Sequence, residues 1–202
     1  MTGITMRKRC VTVLYAGVTF MLLSLLTVHT VSAQGYRHRI TGLAFPDTIG
    51  TMRLVKATEY EALYAGLGTG VSYRTDLEKA DVFLYDQQLG RIPDGASSAV
   101  IAKELERSIA DIHALEVHGT YKDVTVVIDR EVVEVKGTRF LHSLLVYEQN
   151  NFRRTSHIYL TGYGGLFLKL RITYPADMKR TAKANHDAFL EMIGEIIKAA
   201  GK

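Results

Sequence analysis

The stretch Arg139 to Glu148 constrains the fold more than any other part of this chain. It alternates, with Phe140, His142, Leu144 and Val146 on one face and Leu141, Ser143, Leu145 and Tyr147 on the other. Both faces are largely apolar. Such a strand must be central and covered on both sides, because either bare face would leave apolar surface in water.

Two amphipathic helices are available as covers. Between Ser97 and Leu115, Ile101, Leu105, Ile109 and Ile112 recur at helical spacing, while Glu104, Glu106, Arg107 and Asp111 take the other faces. Ser97 or Ser98 can cap this helix. A second helix near Asp177 to Ala200 carries Ala182, Phe189, Met192, Ile193 and Ile196 as its stripe. The remaining elements read as strands: Met52 to Tyr60, Val71 to Arg74, Ala80 to Asp86, Tyr121 to Ile128, Ser156 to Thr161 and Leu166 to Tyr174. Asp129-Arg130-Glu131 reads as a turn or bulge, Gln149-Asn150-Asn151 as a turn, and Gly162 to Gly165 as the bend of a hairpin. The predicted fold class is α+β, a mostly antiparallel sheet with helices packed on both faces.

The N-terminal 33 residues have a different character. Arg7, Lys8 and Arg9 precede an uncharged apolar run from Val11 to Val28, and Val31-Ser32-Ala33 follows. That is the layout of a signal peptide, with cleavage expected after Ala33. The alternative is an uncleaved N-terminal membrane anchor, since 18 apolar residues approach the spanning minimum. In that case the segment would be the chain's one contact with a membrane. Residues 34–42 read as a polar, mobile lead-in and 43–202 as a single domain.

Composition narrows the function classes. Taking Arg7, Lys8 and Arg9 from the 25 basic residues leaves 22, against 21 acidic ones. A near-neutral chain without a basic run argues against nucleic-acid binding. The single cysteine, Cys10, lies in the leader. The exported part can therefore form no internal disulfide, which fits a bacterial periplasm better than a eukaryotic secretory route.

Chemistry-bearing motifs are sparse. Gly66-x-Gly68-x-Gly70 is followed by strand rather than helix, so it reads as a glycine-rich turn and not a phosphate loop. His38, His113, His118, His142, His157 and His186 show no metal-ligand spacing, and no Gly-x-Ser-x-Gly elbow exists. No metal or cofactor is expected and no catalytic residue is assigned. His142, between Phe140 and Leu144, reads as a hydrogen-bonded core histidine. The richest constellation is the last hairpin. His157, Tyr159 and Thr161 share one face of the first strand; Lys169, Arg171 and Thr173 share one face of the second. Where those faces coincide, His157, Tyr159, Lys169 and Arg171 would line a cationic, aromatic pocket for an anion or peptide.

The order of elements resembles the PsbP-like α/β/α sandwich. The stretches that carry the likeness are Phe45-Pro46, Val82-Phe83-Leu84-Tyr85-Asp86, the middle helix, Leu168 to Pro175 and the closing helix, nearly all of Leu43 to Ala200. The chain also looks like exported bacterial proteins of that type. The resemblance implies action through binding and assembly, as for extrinsic photosystem subunits, and carries over no site residue. The expected function is an exported, periplasmic, non-enzymatic binding or assembly protein that recognises a protein or envelope component. Two alternatives are a small envelope hydrolase or lyase with His142 or His157 as general base, and a small-ligand carrier.

Overall fold

The structure is a computed structural model that describes residues 35–201. The leader and its cleavage site lie outside the described residues. Ten strands and two long helices follow in the order β1 (Tyr36–Arg37), β2 (Ala44–Phe45), β3 (Thr48–Ile49), β4 (Met52–Glu59), β5 (Thr69–Arg74), β6 (Lys79–Tyr85), α1 (Ala99–Val117), β7 (Lys122–Val135), β8 (Thr138–Gln149), β9 (Phe152–Tyr163), β10 (Leu166–Pro175) and α2 (Lys179–Ala200). Strands β3 to β10 form one sheet in the order β3-β4-β5-β6-β10-β9-β8-β7, antiparallel throughout. Helix α2 packs on one face through Ala182, Phe189, Ile193, Ile196 and Ile197. Helix α1 packs on the other through Ile101, Leu105 and Ile112. The α+β class and the helix-covered sheet hold as read from sequence.

Strand β8 is covered on both faces: Phe140 joins the core under α2, and Leu141, Leu145 and Tyr147 join the core under α1. Its place in the sheet differs from the expectation. It is second from the edge, because the long β7 lies outside it. Asp129 and Arg130 form no turn. They fall in a bulge of a continuous β7, where the register slips between Ile128 and Glu131, and the slip sets Glu131 opposite His142.

Strands β7 to β10 are a meander joined by two-residue turns. Lys136 and Gly137, Asn150 and Asn151, and Gly164 and Gly165 each have two successive positive φ angles. That is the mirror-image turn whose twist suits a hairpin.

The segment read as a mobile lead-in is tied down. Tyr36 and Arg37 pair with Phe45 and Ala44, the Tyr36 hydroxyl donates to Glu59, and His38 is buried. The fold therefore begins before Leu43. Polar composition hid this, because the segment is anchored by two backbone pairs and a ring rather than by an apolar run. Among the described residues no helix is long and apolar enough to cross a membrane.

Helix α1 is reached through a loop that hugs the β9–β10 hairpin. Gly95 and Gly162 exchange backbone hydrogen bonds of 2.9 and 3.0 Å, and the Ile92 amide donates to Gly165 at 2.9 Å. Ser98 then caps the helix, its Oγ accepting from the Ile101 amide at 3.4 Å. The hairpin thus fixes where α1 starts, and so how it lies over β10.

Candidate functional site

The residues expected to form one pocket are divided by the sheet. On the β9–β10 pair His157 stands opposite Ile172 and Tyr159 opposite Leu170, whereas Lys169 stands opposite Leu160 and Arg171 opposite Ile158. Paired residues project to the same face and neighbours along a strand to opposite faces. His157 and Tyr159 therefore lie under α2, and Lys169 and Arg171 lie under α1. Alternation along each strand was legible; the register that joins the two strands was not.

Under α2, three histidines and two tyrosines form a buried network. His142 Nδ1 lies 2.7 Å from Glu131 Oε1, His142 Nε2 lies 2.9 Å from His157 Nδ1, and His157 Nε2 lies 2.8 Å from the Tyr174 hydroxyl. A second branch runs from the Tyr159 hydroxyl to His186 Nε2 at 2.9 Å, and from His186 Nδ1 to Asp187 Oδ1 at 3.3 Å. One set of protons satisfies all of these. Tyr174 donates to His157, His157 to His142 and His142 to Glu131; Tyr159 donates to His186 and His186 to Asp187. Every ring is then neutral. Burial, the largest cause in each case, holds all three imidazoles below the usual value, and His157 falls to about 3. The carboxylates at the two ends are half exposed, at 47% for Glu131 and 46% for Asp187. Glu131, Tyr174 and His186 were not anticipated. The bulge in β7 brings in Glu131, the seat of α2 brings in His186 and the β9–β10 register brings in Tyr174, and none of these is a local feature of sequence.

Under α1, a cleft of about 160 Å³ is lined by cationic, acidic and aliphatic side chains, among them Lys169 and Arg171. Lys169 is 18% exposed. Its Nζ donates to Ser108 Oγ at 3.1 Å and stands 5.6 and 5.0 Å above the rings of Phe83 and Tyr85. Burial lowers its pKa to about 8, against the opposing pull of Glu104 3.8 Å away. Glu104 is itself only 3% exposed. Burial alone would raise its pKa; the bonds from Arg107 and Tyr85 outweigh that and hold it below the usual range. Arg107 grips both its oxygens at 2.7 and 2.8 Å, and Tyr85 and Gln87 also donate to it.

Arg171 is held differently. Its Nε donates to Ser156 Oγ at 3.1 Å, and its Nη2 to the hydroxyls of Tyr121 and Tyr147 at 3.3 and 3.1 Å. Those two rings stack on one another with centroids 4.1 Å apart. Among the described residues no carboxylate lies within 4 Å of this guanidinium. Asp81, its register partner on β6, is engaged by Arg74 at 2.9 Å and Lys79 at 3.2 Å.

The glycine-rich turn binds an anion of its own. Glu61 accepts from the Gly66 amide at 3.0 and 2.9 Å and from the Gly68 amide at 2.9 Å, and strand β5 follows. The amides a phosphate would use are thus occupied by a side chain. Among the described residues no three His, Cys, Asp or Glu side chains are disposed to hold a metal ion. The three histidines under α2 turn their nitrogens to one another, to tyrosines and to carboxylates rather than to a common point.

At the level of sequence no family model matches the chain, and no curated protein matches it. Solved structures do. The solution structure of cyanobacterial PsbP (CyanoP) from Synechocystis sp. PCC 6803 is similar over 87% of this chain and 96% of that one, at 12% identity and a TM-score of 0.50. The fold is PsbP-like. A second similar structure is LpqN, described as involved in cell envelope biogenesis of Mycobacterium tuberculosis. It is 15% identical with a TM-score of 0.44, over 69% of this chain and 75% of that one. At such identities the PsbP-like likeness is one of architecture.

Proposed function

We propose that this chain is an exported, periplasmic, non-enzymatic binding protein that recognises an anionic group of a protein or envelope component in the cleft beneath α1. The observation that carries this reading is Arg171, a guanidinium fixed by three hydroxyls and two rings, with no acidic partner, at the wall of that cleft. A buried charge without a counter-ion is costly in a chain with no use for it. Export rests on the leader, and the periplasm on the absence of cysteine after residue 33. Tyr159 and His157 leave the binding set, because both are buried under α2 and bonded there.

A histidine-dependent hydrolase or lyase draws on the short Glu131–His142 pair. Against it, both ring nitrogens of His142, His157 and His186 are engaged within the protein, which leaves none to take a proton from a substrate.

Native mass spectrometry of the protein recovered from its host tests the reading. A mass beginning at Gln34, with a bound component that Arg171→Ala loses while its melting curve stays cooperative, is the expected result. An Arg171→Ala protein that folds and keeps every bound component overturns the site.

A further inference from the structure

Resting on the binding role proposed above, we infer that the cleft beneath α1 takes a monocarboxylate with a small aliphatic group beside its charged end. The ligand is either the C-terminus of a chain ending in an aliphatic residue or a free short branched acid.

Charge sets the valence. Glu104, Arg107 and Asp111 form a cluster of one cation and two anions, with Arg107 Nη1 3.3 Å from Asp111. The cluster's spare negative charge stands beside Lys169, at 3.8 Å from Glu104, and offsets it. Asp81 on β6, beside Arg171, is engaged by Arg74 and by Lys79, which is 52% exposed. The charged side chains that line the cleft, Lys79, Lys169 and Arg171 against Asp81 and Asp111, leave one positive charge over, and Arg171 is the cation among them bonded to no carboxylate, so the complementary ligand carries one negative charge.

Donor geometry sets the shape. Ser156, Tyr121 and Tyr147 take the Nε and Nη2 protons of Arg171, and among the described residues its Nη1 has no hydrogen-bond partner. Nη1 therefore offers two N–H groups on a guanidinium already fixed in place, which lowers the ordering cost of binding. A planar carboxylate suits that donor pair.

Size and lining set the rest. About 160 Å³ is smaller than the roughly 300–1,000 Å³ of sites that enclose whole ligands, and equals about five water volumes. It admits an end group. Phe83, Ile112, Leu115 and Ile158 form the apolar part of the wall, so the atoms next to the carboxylate gain by being aliphatic.

The test follows amide signals by NMR on isotope-labelled protein recovered from its host, titrated with 4-methylpentanoate, with its uncharged amide, and with a glycine-rich pentapeptide ending in leucine as free acid or amide. The expected result is saturable shifts at Ser108, Ile112 and Arg171 with both acids, and binding weaker by roughly tenfold or more for both amides, as loss of a charged hydrogen bond implies. Tighter binding of the peptide acid identifies a protein C-terminus as the source; tighter binding of the free acid identifies a small molecule. Arg171→Gln should lose the acids, while Arg180→Gln, an equal loss of charge on the exposed side of α2, should keep them. The acid-against-amide comparison needs no variant, so it stands even where Arg171→Gln fails to fold. Equal binding of acid and amide overturns the carboxylate. Shifts at the same amides with inorganic phosphate but not with the acids overturn the ligand class and leave an anion cleft standing. No shift with any anion removes both the ligand and the cleft.

Discussion

His142 and His157 share a single proton across 2.9 Å between their facing nitrogens, with rings 10° from parallel. Each is buried, and each is bonded at its other nitrogen too. Protons on both facing nitrogens at once would set two donors against each other. Burial holds every ring of the network below the ordinary histidine value, so the network carries neutral histidine, and its behaviour in acid follows.

Stability should fall on mild acidification, before the carboxylates titrate. The folded chain holds His142, His157 and His186 below the ordinary value of 6.5, His157 at about 3. The unfolded chain takes up protons near 6.5, so it binds more of them throughout the window below. Stability is whole above about 6.5 and is lost progressively as the pH drops toward about 3, with His157 alone worth on the order of a few kcal/mol. Thermal melts from pH 7.5 to 5 should show a falling Tm, and His157→Gln should flatten that slope. A Tm independent of pH across this interval contradicts the buried neutral state.

Tyr174→Phe removes the proton that satisfies His157 Nε2. A buried acceptor left without a donor costs about 1–3 kcal/mol. Urea denaturation should show that loss with an unchanged slope. The same substitution at Tyr64, an exposed ring, should change little, and equal effects at the two positions would sink the assignment.

Glu104→Gln should act on Lys169. Glu104 opposes the burial that lowers the lysine to about 8, so its neutral form should let the Lys169 pKa fall further. Removing the carboxylate that Arg107, Tyr85 and Gln87 hold, with Arg107 itself 47% exposed, should also cost about 1–3 kcal/mol. Side-chain NMR titration of Lys169 reads the first effect and chemical denaturation the second. A Lys169 that titrates higher in the variant refutes this account of the cluster.

Gly162→Ala should be among the most damaging small substitutions. A Cβ there would sit 1.9 Å from the Pro93 carbonyl oxygen, a backbone atom fixed by the Gly95–Gly162 bridge. Relief requires moving the loop that feeds α1, at a cost of at least about 2 kcal/mol. Circular dichroism melts check this, and a variant as stable as the parent would show the loop to be free of the hairpin.

Much of the architecture was legible because it is written in periodicity. The stripe Ile101, Leu105, Ile112 placed α1, the stripe Ala182, Phe189, Ile193 placed α2, and the two apolar faces of β8 required both covers. The site was half legible. Lys169 and Arg171 were found through their shared strand face, but sequence alternation gives faces within a strand and not between strands. The pairing of Leu170 with Tyr159 sends the two halves of the expected pocket to opposite sides. Glu131 was out of reach for a related reason, since a bulge shifts register without altering composition.

The junction between β6 and β10 has a consequence for assembly. Strands β7 to β10 pair with sequence neighbours through two-residue turns, and β3 to β6 likewise pair in sequence order; only β6 and β10 join partners far apart in the chain. Closing that loop is the costliest ordering step in the sheet. The cleft takes Lys79, Asp81 and Phe83 from one side of this seam and Lys169 and Arg171 from the other. Neither half contains it. A ligand held in that cleft, as proposed above, would be captured only once this long-range pairing has closed, and a half-folded copy would have nothing with which to bind it.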